Sequence, residues 1–367
     1  MDRLSAPQVL ESYKSRRVLV TGHTGFKGSW LTAWLHALGA EVTGFSLPPD
    51  QGPDNLFERA GIGESCCSRI GDICNFDAVR RIFEEARPEI VLHLAAQPLV
   101  PRSYSDPVGT MATNVLGTAH VLEAARLCPS VNAVVCVTTD KVYRNHEWAW
   151  PYRETDELGG FDPYSASKAA AEMVARSYRT ALAPKDRPFA LATARGGNVL
   201  GGGDWSADRL VPDMVRALRA GVPLEIRHPN AIRPWQHVLD LCYAYLLIGA
   251  VLFQQAEGVD VDAWNIGPDQ GTSIPVRTLA SLFFQAWGAP DHPIASTDAI
   301  GFEARTLSLD SSLARSRLGW APVLGPTETI HFSAKWYRAY VDAPEQARAL
   351  MDAQRTAFEQ RLFHNDF

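Results

Sequence analysis

The chain has 367 residues, more than a single domain of ~150 residues needs. Hydrophobic residues make up 46% and charged residues 21%, which rules out disorder or a collagen-like repeat for the bulk of the chain. A net charge of −6 argues against a general nucleic-acid binder, although a local basic pocket could still take a small anion.

In chain order, the opening stretch MDRLSAPQVLESYKSRR is polar and has no apolar core of signal-peptide length. Arg17–Thr21 is a short apolar run that predicts a strand. It leads into Thr21-Gly22-His23-Thr24-Gly25-Phe26-Lys27-Gly28, and an apolar-periodic helix follows through Leu38. A G-x-x-G-x-x-G loop between strand and helix lets a pyrophosphate approach the backbone, where the helix N-terminus offers unpaired N–H groups. Residues Gly22 to Gly28 are therefore the expected dinucleotide cradle, with His23 shaping the loop. Glu41–Phe45 reads as the next strand. It runs into Ser46-Leu47 with no carboxylate, and no lysine or arginine stands between Lys27 and Arg59 to hold a 2′-phosphate. NAD is the expected cofactor. Asp72, followed by Ile73, is placed either at the adenine or as a helix cap.

Glu89–Ala95 and Val131–Thr138 are near-continuous apolar runs, as expected of strands buried on both faces. Asn114–Leu127 between them has helical spacing, Tyr164–Ala183 is an alanine-rich helix, and Phe189–Ala194 is the next strand. This alternation predicts an α/β fold: a doubly wound parallel sheet with helices on both faces. After about residue 200 the elements shorten. Helices are expected over Leu210–Ala220 and Leu241–Phe253, and a strand over Asp262–Ile266. Leu241–Phe253 is too short for the ~18 residues of a spanning helix, so a buried helix is expected. A last helix, Pro344–Phe363, would present Ala347, Leu350, Met351, Ala357, Phe358 and Leu362 on one face, with Asp342 as its N-cap. Cysteines 66, 67, 74, 128, 136 and 242 show neither a disulfide framework nor metal spacing. The expectation is a cytoplasmic protein without metal, membrane or nucleic-acid partners.

Two polar groups of residues follow apolar strands. Tyr164 and Lys168 are four apart in a helix and share a face. A nearby ammonium favours the phenolate, which makes Tyr164 a general base toward an alcohol. Thr138-Thr139-Asp140-Lys141-Val142-Tyr143 follows the end of a parallel strand, where ligands bind in such sheets. Each group by itself is also what a surface helix pair or a loop ion pair would look like.

Taken together with His93-Leu94-Ala95-Ala96-Gln97, Asn114 and Arg195-Gly196-Gly197-Asn198-Val199, these motifs resemble the extended short-chain dehydrogenase/reductase family. The resemblance runs from Arg17 to about Trp320. It implies a Rossmann domain over residues 1–195, completed by a segment near 228–267, and a substrate lobe mainly from 196–367. It implies that the glycine loop, Asp72, Ile73, Leu94, Ala95, Ala96, Gln97, Asn114, Thr138, Tyr164 and Lys168 contact the cofactor. An acidic residue after Thr139 resembles the hexose 4,6-dehydratases. Asp140-Lys141, the loop spelling His-Thr-Gly-Phe-Lys-Gly-Ser-Trp, Gly201–Trp205 and Arg233–Val238 resemble the branch that acts on CDP-glucose. The implied reaction oxidises C4, eliminates water across C5 and C6, and reduces C6 with NAD recycled. Tyr164 would be the base, Lys168 its electrostatic partner, Thr139 the C4-oxygen contact, Asp140 the acid at C6 and Lys141 the C5 base. Gln97, Thr139, Asn198, Arg209, Arg233 and Arg305 would contact substrate. Dehydratases of UDP-N-acetylglucosamine, dTDP-glucose or GDP-mannose remain alternatives, as does a non-catalytic dinucleotide sensor. Relatives pair through two long helices each, which implies a homodimer or dimer of dimers.

Overall fold

The computed structural model describes residues 3–187, 189–254, 262–296 and 306–364. Its centre is a seven-stranded sheet: β1 (Arg17–Thr21), β2 (Glu41–Ser46), β3 (Cys67–Ile70), β4 (Ile90–His93), β5 (Ala133–Val137), β6 (Ala190–Gly196) and β7 (Ala263–Ile266). The spatial order is β3-β2-β1-β4-β5-β6-β7, and every pairing is parallel. The order reverses between β1 and β4, so the switch point lies at the ends of these two strands, where doubly wound sheets bind ligands.

Alternation along the strands sorts the side chains into two cores. Val18, Val20, Ile90, Leu92, Val135 and Val137 pack on one face. Leu19, Val91, Val134 and Cys136 pack on the other. Helix α1 (Phe26–Ala37) covers the first face, and α2 (Phe76–Ala86) and α3 (Gly117–Leu127) cover the second. Helix α4 (Pro163–Thr180), which carries Tyr164 and Lys168, starts where the Asp162 carboxylate caps the Ser165 N–H at 2.9 Å, with Pro163 in the first turn.

After β6 the chain leaves the sheet, forms α5 (Leu210–Ala220), and returns as α6 (Val238–Gln254). Residues Val238 to Leu252 of α6 are all buried, in the core shared by the sheet and α1. This all-round burial is why the segment reads apolar without being a membrane helix. After β7 come α7 (Val276–Trp287), α8 (Pro326–Asp342) and α9 (Ala347–His364).

Most predicted elements are present within a few residues. Two differences have physical causes. Strand β3 and helix α2 are additional to the predicted elements: β3 is an edge strand with mostly exposed side chains, whereas α2 is amphipathic, capped by Asn75, and buries Val79, Ile82 and Phe83. At the C-terminus, Asp342 is the last residue of α8 rather than an N-cap, and a 3-10 turn over Pro344–Gln346 separates it from α9. Pro344 cannot continue the hydrogen bonding of α8, so the chain turns there. Ala347, Met351, Phe358 and Leu362 are buried as the periodicity predicts. They pack toward α1: Phe358 meets Trp34 edge-on at 5.7 Å, and Trp34 Nε1 donates to Glu359 at 2.7 Å.

Candidate active site

The glycine loop joins β1 to α1 at the switch point. Gly22 has φ +78°, and a Cβ there would meet the Ala95 nitrogen at 2.8 Å. A Cβ on Gly28 would sit 2.0 Å from the Gly22 carbonyl oxygen. The protein's own packing therefore demands both glycines. Gly25 differs: a Cβ there would meet only the Gly22 oxygen, at 3.4 Å, and the residue is exposed at the N-cap of α1. The first-turn N–H groups of α1 have no intrahelical acceptor. A glycine that the fold does not need, beside unpaired donors, fits a loop that receives a pyrophosphate. An NAD-type cofactor fits this cradle.

The other loop residues divide by role. His23 is buried behind the loop, with Nε2 2.7 Å from the Ser68 hydroxyl and its ring against Phe57, and burial pushes its pKa down to about 4. It shapes the loop from behind. Thr24 Oγ1 lies 2.8 Å from the Ser46 hydroxyl and donates to the Leu47 carbonyl, tying the loop to the end of β2. Phe26 and Lys27 are half-buried in the first turn of α1. Desolvation lowers the Lys27 pKa to about 8, and Arg209 adds to the shift, while Cys242, Asp140 and Asp204 oppose it. Asp72 is exposed and accepts from the Cys74 N–H at 2.9 Å, so it closes a turn; Ile73 is buried beneath Gly117.

Leu94, Ala95 and Ala96 continue from β4 beside the glycine loop, and the Ala95 N–H donates to Thr21 Oγ1 at 3.2 Å. Gln97 and Asn114 are engaged with the protein itself. Both amide hydrogens of Gln97 are used, on the Leu99 carbonyl and the Thr110 hydroxyl, each at 3.0 Å. Asn114, in a π-helical turn over Ala112–Leu116, holds the Gln97 backbone and donates to Ser167 of α4 at 2.8 Å. These two residues brace the loop against the helix that carries Tyr164.

The polar residues after β5 and the first turns of α4 converge. Thr139 Oγ1 donates to Asp140 Oδ1 at 3.0 Å, and its hydrogen bond to Tyr164 tends to lower the phenol pKa. Asp140 is buried, and a Cβ on Gly197 would lie 3.0 Å from its Oδ2, so the segment after β6 closes over it. Burial pushes the Asp140 carboxyl up, against the pull of Lys141, Thr139 and Arg233. The net direction favours the protonated acid.

The electrostatics of Tyr164 differ from the sequence expectation. Burial pushes its phenol up from 10.0, with Thr139 and then Arg209 pulling it down. The Lys168 ammonium instead donates to the Val137 carbonyl at 3.1 Å, and desolvation lowers its pKa to about 8, with Lys27 adding to the shift. Both side chains are buried, and desolvation penalises each charged form.

Around this centre, Arg233 is buried, donates to the Ile232 carbonyl at 2.9 Å and lies within electrostatic reach of Asp140. Arg209 caps the start of α5, 3.5 Å from the Pro98 carbonyl, and acts on both Tyr164 and Lys27. Asn198 is half-buried, and its carbonyl accepts from the Gln236 N–H. Arg305 lies outside the described residues. Glu172, which the sequence reading passed over, is buried one turn beyond Lys168 and accepts from the Thr138 hydroxyl. The spacing Tyr164, Lys168, Glu172 would have pointed to it.

A dinucleotide cradle at the switch point, facing a Thr–Asp–Tyr cluster at the ends of β5 and α4, defines an NAD-linked enzyme of the Rossmann type. The chain belongs to the NAD dependent epimerase/dehydratase family, whose model matches residues 18–267. It is 41% identical over 333 residues to CDP-glucose 4,6-dehydratase of Salmonella typhimurium, covering 90% of this chain and 92% of that protein. It is 34% identical to dTDP-glucose 4,6-dehydratase of Streptomyces antibioticus, covering 88% of this chain and 92% of that protein. Among solved structures it is similar to DesIV, the dTDP-glucose 4,6-dehydratase of Streptomyces venezuelae, solved with NAD and TYD bound. The TM-score is 0.75 at 26% identity, covering 89% of this chain and 99% of that one.

Proposed function

We propose that this chain converts CDP-D-glucose to CDP-4-keto-6-deoxy-D-glucose, using NAD that is regenerated in each turnover. The observation that carries this reading is the 41% identity to a CDP-glucose 4,6-dehydratase across nine-tenths of both chains. The gathered Thr139, Asp140 and Tyr164 supply the chemistry that the reaction needs.

The C5 proton of glucose is not acidic, so water cannot be lost directly. A ketone at C4 makes C5–H an α-proton and stabilises the resulting carbanion as an enolate. When bound, NAD supplies reversible two-electron acceptance, so that oxidation at C4 and reduction at C6 cancel. Tyr164 takes the C4 hydroxyl proton, with Thr139 hydrogen-bonded to the same oxygen. Lys168 contacts the nicotinamide ribose, while Thr139 and then Arg209 pull toward the ionised phenol. Asp140, whose carboxyl burial pushes toward the acid form, gives its proton to the departing C6 hydroxyl. Lys141 stands next to it as the C5 base. Arg233, Arg209 and Asn198 take the nucleotide diphosphate in this reading, because Arg is suited to bidentate phosphate contact.

Residues 1–195, with α6 and β7, form the cofactor domain in this reading, and much of the remainder forms the substrate lobe. Two copies pair through the 107–127 segment and α4, which pack on each other and expose Val108, Leu116 and Met173. A cytoplasmic setting suits six unpaired cysteines, and no helix among the described residues is long and apolar enough to cross a membrane.

The test is incubation of the purified protein with NAD and CDP-glucose, followed by alkali to develop the absorbance of a 4-keto-6-deoxy sugar. Parallel reactions use dTDP-glucose, UDP-N-acetylglucosamine and GDP-mannose. CDP-glucose is expected to give the highest kcat/KM. Absence of product from it would overturn the assignment.

A further inference from the structure

One buried charged pair lies directly beneath the reacting groups, and no step of the mechanism uses it. Glu172 continues the stripe of Tyr164 and Lys168 along α4, one turn further in each case. Its side chain and that of Arg195 are 3% and 5% exposed, and Glu172 Oε2 accepts from Arg195 Nη2 at 2.8 Å. The same carboxylate accepts from the Thr138 hydroxyl at 2.5 Å and from the Thr193 hydroxyl at 2.8 Å. Arg195 Nη1 donates to the Tyr143 hydroxyl at 2.8 Å and to the Glu154 carbonyl at 3.0 Å. The Tyr143 hydroxyl donates onward to Asn265 Oδ1 at 2.7 Å.

The placement is specific. Thr138 and Tyr143 stand at the two ends of the turn that carries Thr139, Asp140 and Lys141. The pair holds one end through Glu172 and the other through Arg195. Glu172 belongs to the helix of Tyr164, and Arg195 to the neighbouring strand β6. The turn, the helix and the sheet are thereby tied at one point. A buried ion pair is weak evidence for stability, because apolar residues of similar volume often do as well. Its value here lies in fixing where polar atoms point.

We infer that Glu172 and Arg195 are positioning residues, which hold the Thr139–Lys141 turn in register with Tyr164 for the reaction proposed above. The inference rests on that functional reading. Neither residue needs to touch substrate. A displacement on the order of 1 Å at a reacting group can cost about 100-fold in rate.

Two variants test it. Glu172→Gln keeps the shape but sets an amide N–H₂ among the donors of Arg195. Tyr143→Phe removes only the hydroxyl between Arg195 and Asn265, leaving the ring stacked on Tyr152 at 5.1 Å. Measured together are the melting temperature, NAD affinity, kcat and KM for CDP-glucose, and amide hydrogen exchange over residues 138–143. In each variant that stays folded, kcat should fall about 10- to 100-fold, with KM and NAD affinity within about threefold of the parent. Exchange should quicken over 138–143 and remain unchanged in β1 and β2. Wild-type kcat in a folded variant would overturn the inference, as would a raised KM at unchanged kcat. Should the wild type turn over no nucleotide sugar, the functional reading fails. The exchange measurement then decides alone, and protection of 138–143 equal to the parent's would sink the positioning role.

Discussion

Burial governs the charges at the reacting residues more than their neighbours do. Asp140 and Lys141 are adjacent, and an ion pair between them would hold the carboxyl deprotonated. In the folded chain desolvation outweighs Lys141 and moves the carboxyl toward the acid form that C6 departure requires. Lys168 is likewise desolvated, to about 8. In the proposed reaction Asp140 and Lys168 both act protonated, so each would lose its working form as pH rises. The kcat/KM profile is therefore expected to fall on its alkaline side, near pH 8 if Lys168 sets the limb. Lys168→Arg keeps the cation ionised and should move that limb to higher pH, at a lower absolute rate. Initial rates across the neutral-to-alkaline range check this; a limb that stays put assigns the titration to another group.

At the scale of elements, the β1–loop–α1 unit was largely legible, because strand, glycines and helix follow each other without a gap. The spacing alone did not separate the work of the three glycines. Gly28 lies against the Gly22 carbonyl, whereas Gly25 faces open space apart from one ordinary contact. Gly28→Ala should therefore destabilise the fold, with a melting temperature several degrees lower. Gly25→Ala should change the melting temperature by no more than about 2 °C, because an N-cap alanine costs only about 1 kcal/mol. It should nevertheless weaken NAD binding about tenfold or more in a calorimetric titration. Unchanged affinity in Gly25→Ala would remove the loop as the pyrophosphate cradle. The less legible elements were β3, whose edge position leaves few apolar side chains, and the break between α8 and α9.

For the whole molecule, the later half of the chain does not stand apart from the first. Helix α6 is buried in the core of the parallel sheet, and α9 reaches back to Trp34. One apolar core therefore runs from α1 through the sheet to the C-terminal helices. The apolar surface that this leaves exposed includes Val108 at 78%, Met173 at 59% and Leu116 at 57%, on two helical segments that pack together. Solitary exposed apolar residues are ordinary, but several on adjoining helices are what the proposed dimer would bury. Val108→Glu with Met173→Glu should convert the proposed dimer to a monomer in light scattering, without lowering the melting temperature of the isolated subunit. A double variant that still elutes as a dimer would place the interface elsewhere.

Local spacing by itself determined most strands and helices, the glycine loop and the Tyr164–Lys168 face, because each depends on neighbours within a few residues, and the alternation of strand and helix then implied a parallel sheet. It also brought Thr139, Asp140 and Tyr164 under suspicion before any distance was known. What only the tertiary structure decided are matters of burial and long-range partnership. Which way each titratable group shifts depends on the water removed around it. The partners of Glu172 come from β6 and the residue after β5, and the amide of Gln97 is spent on Leu99 and Thr110. The sequence pattern records which side chains are apolar or charged, but not which distant ones meet once the chain has closed around them.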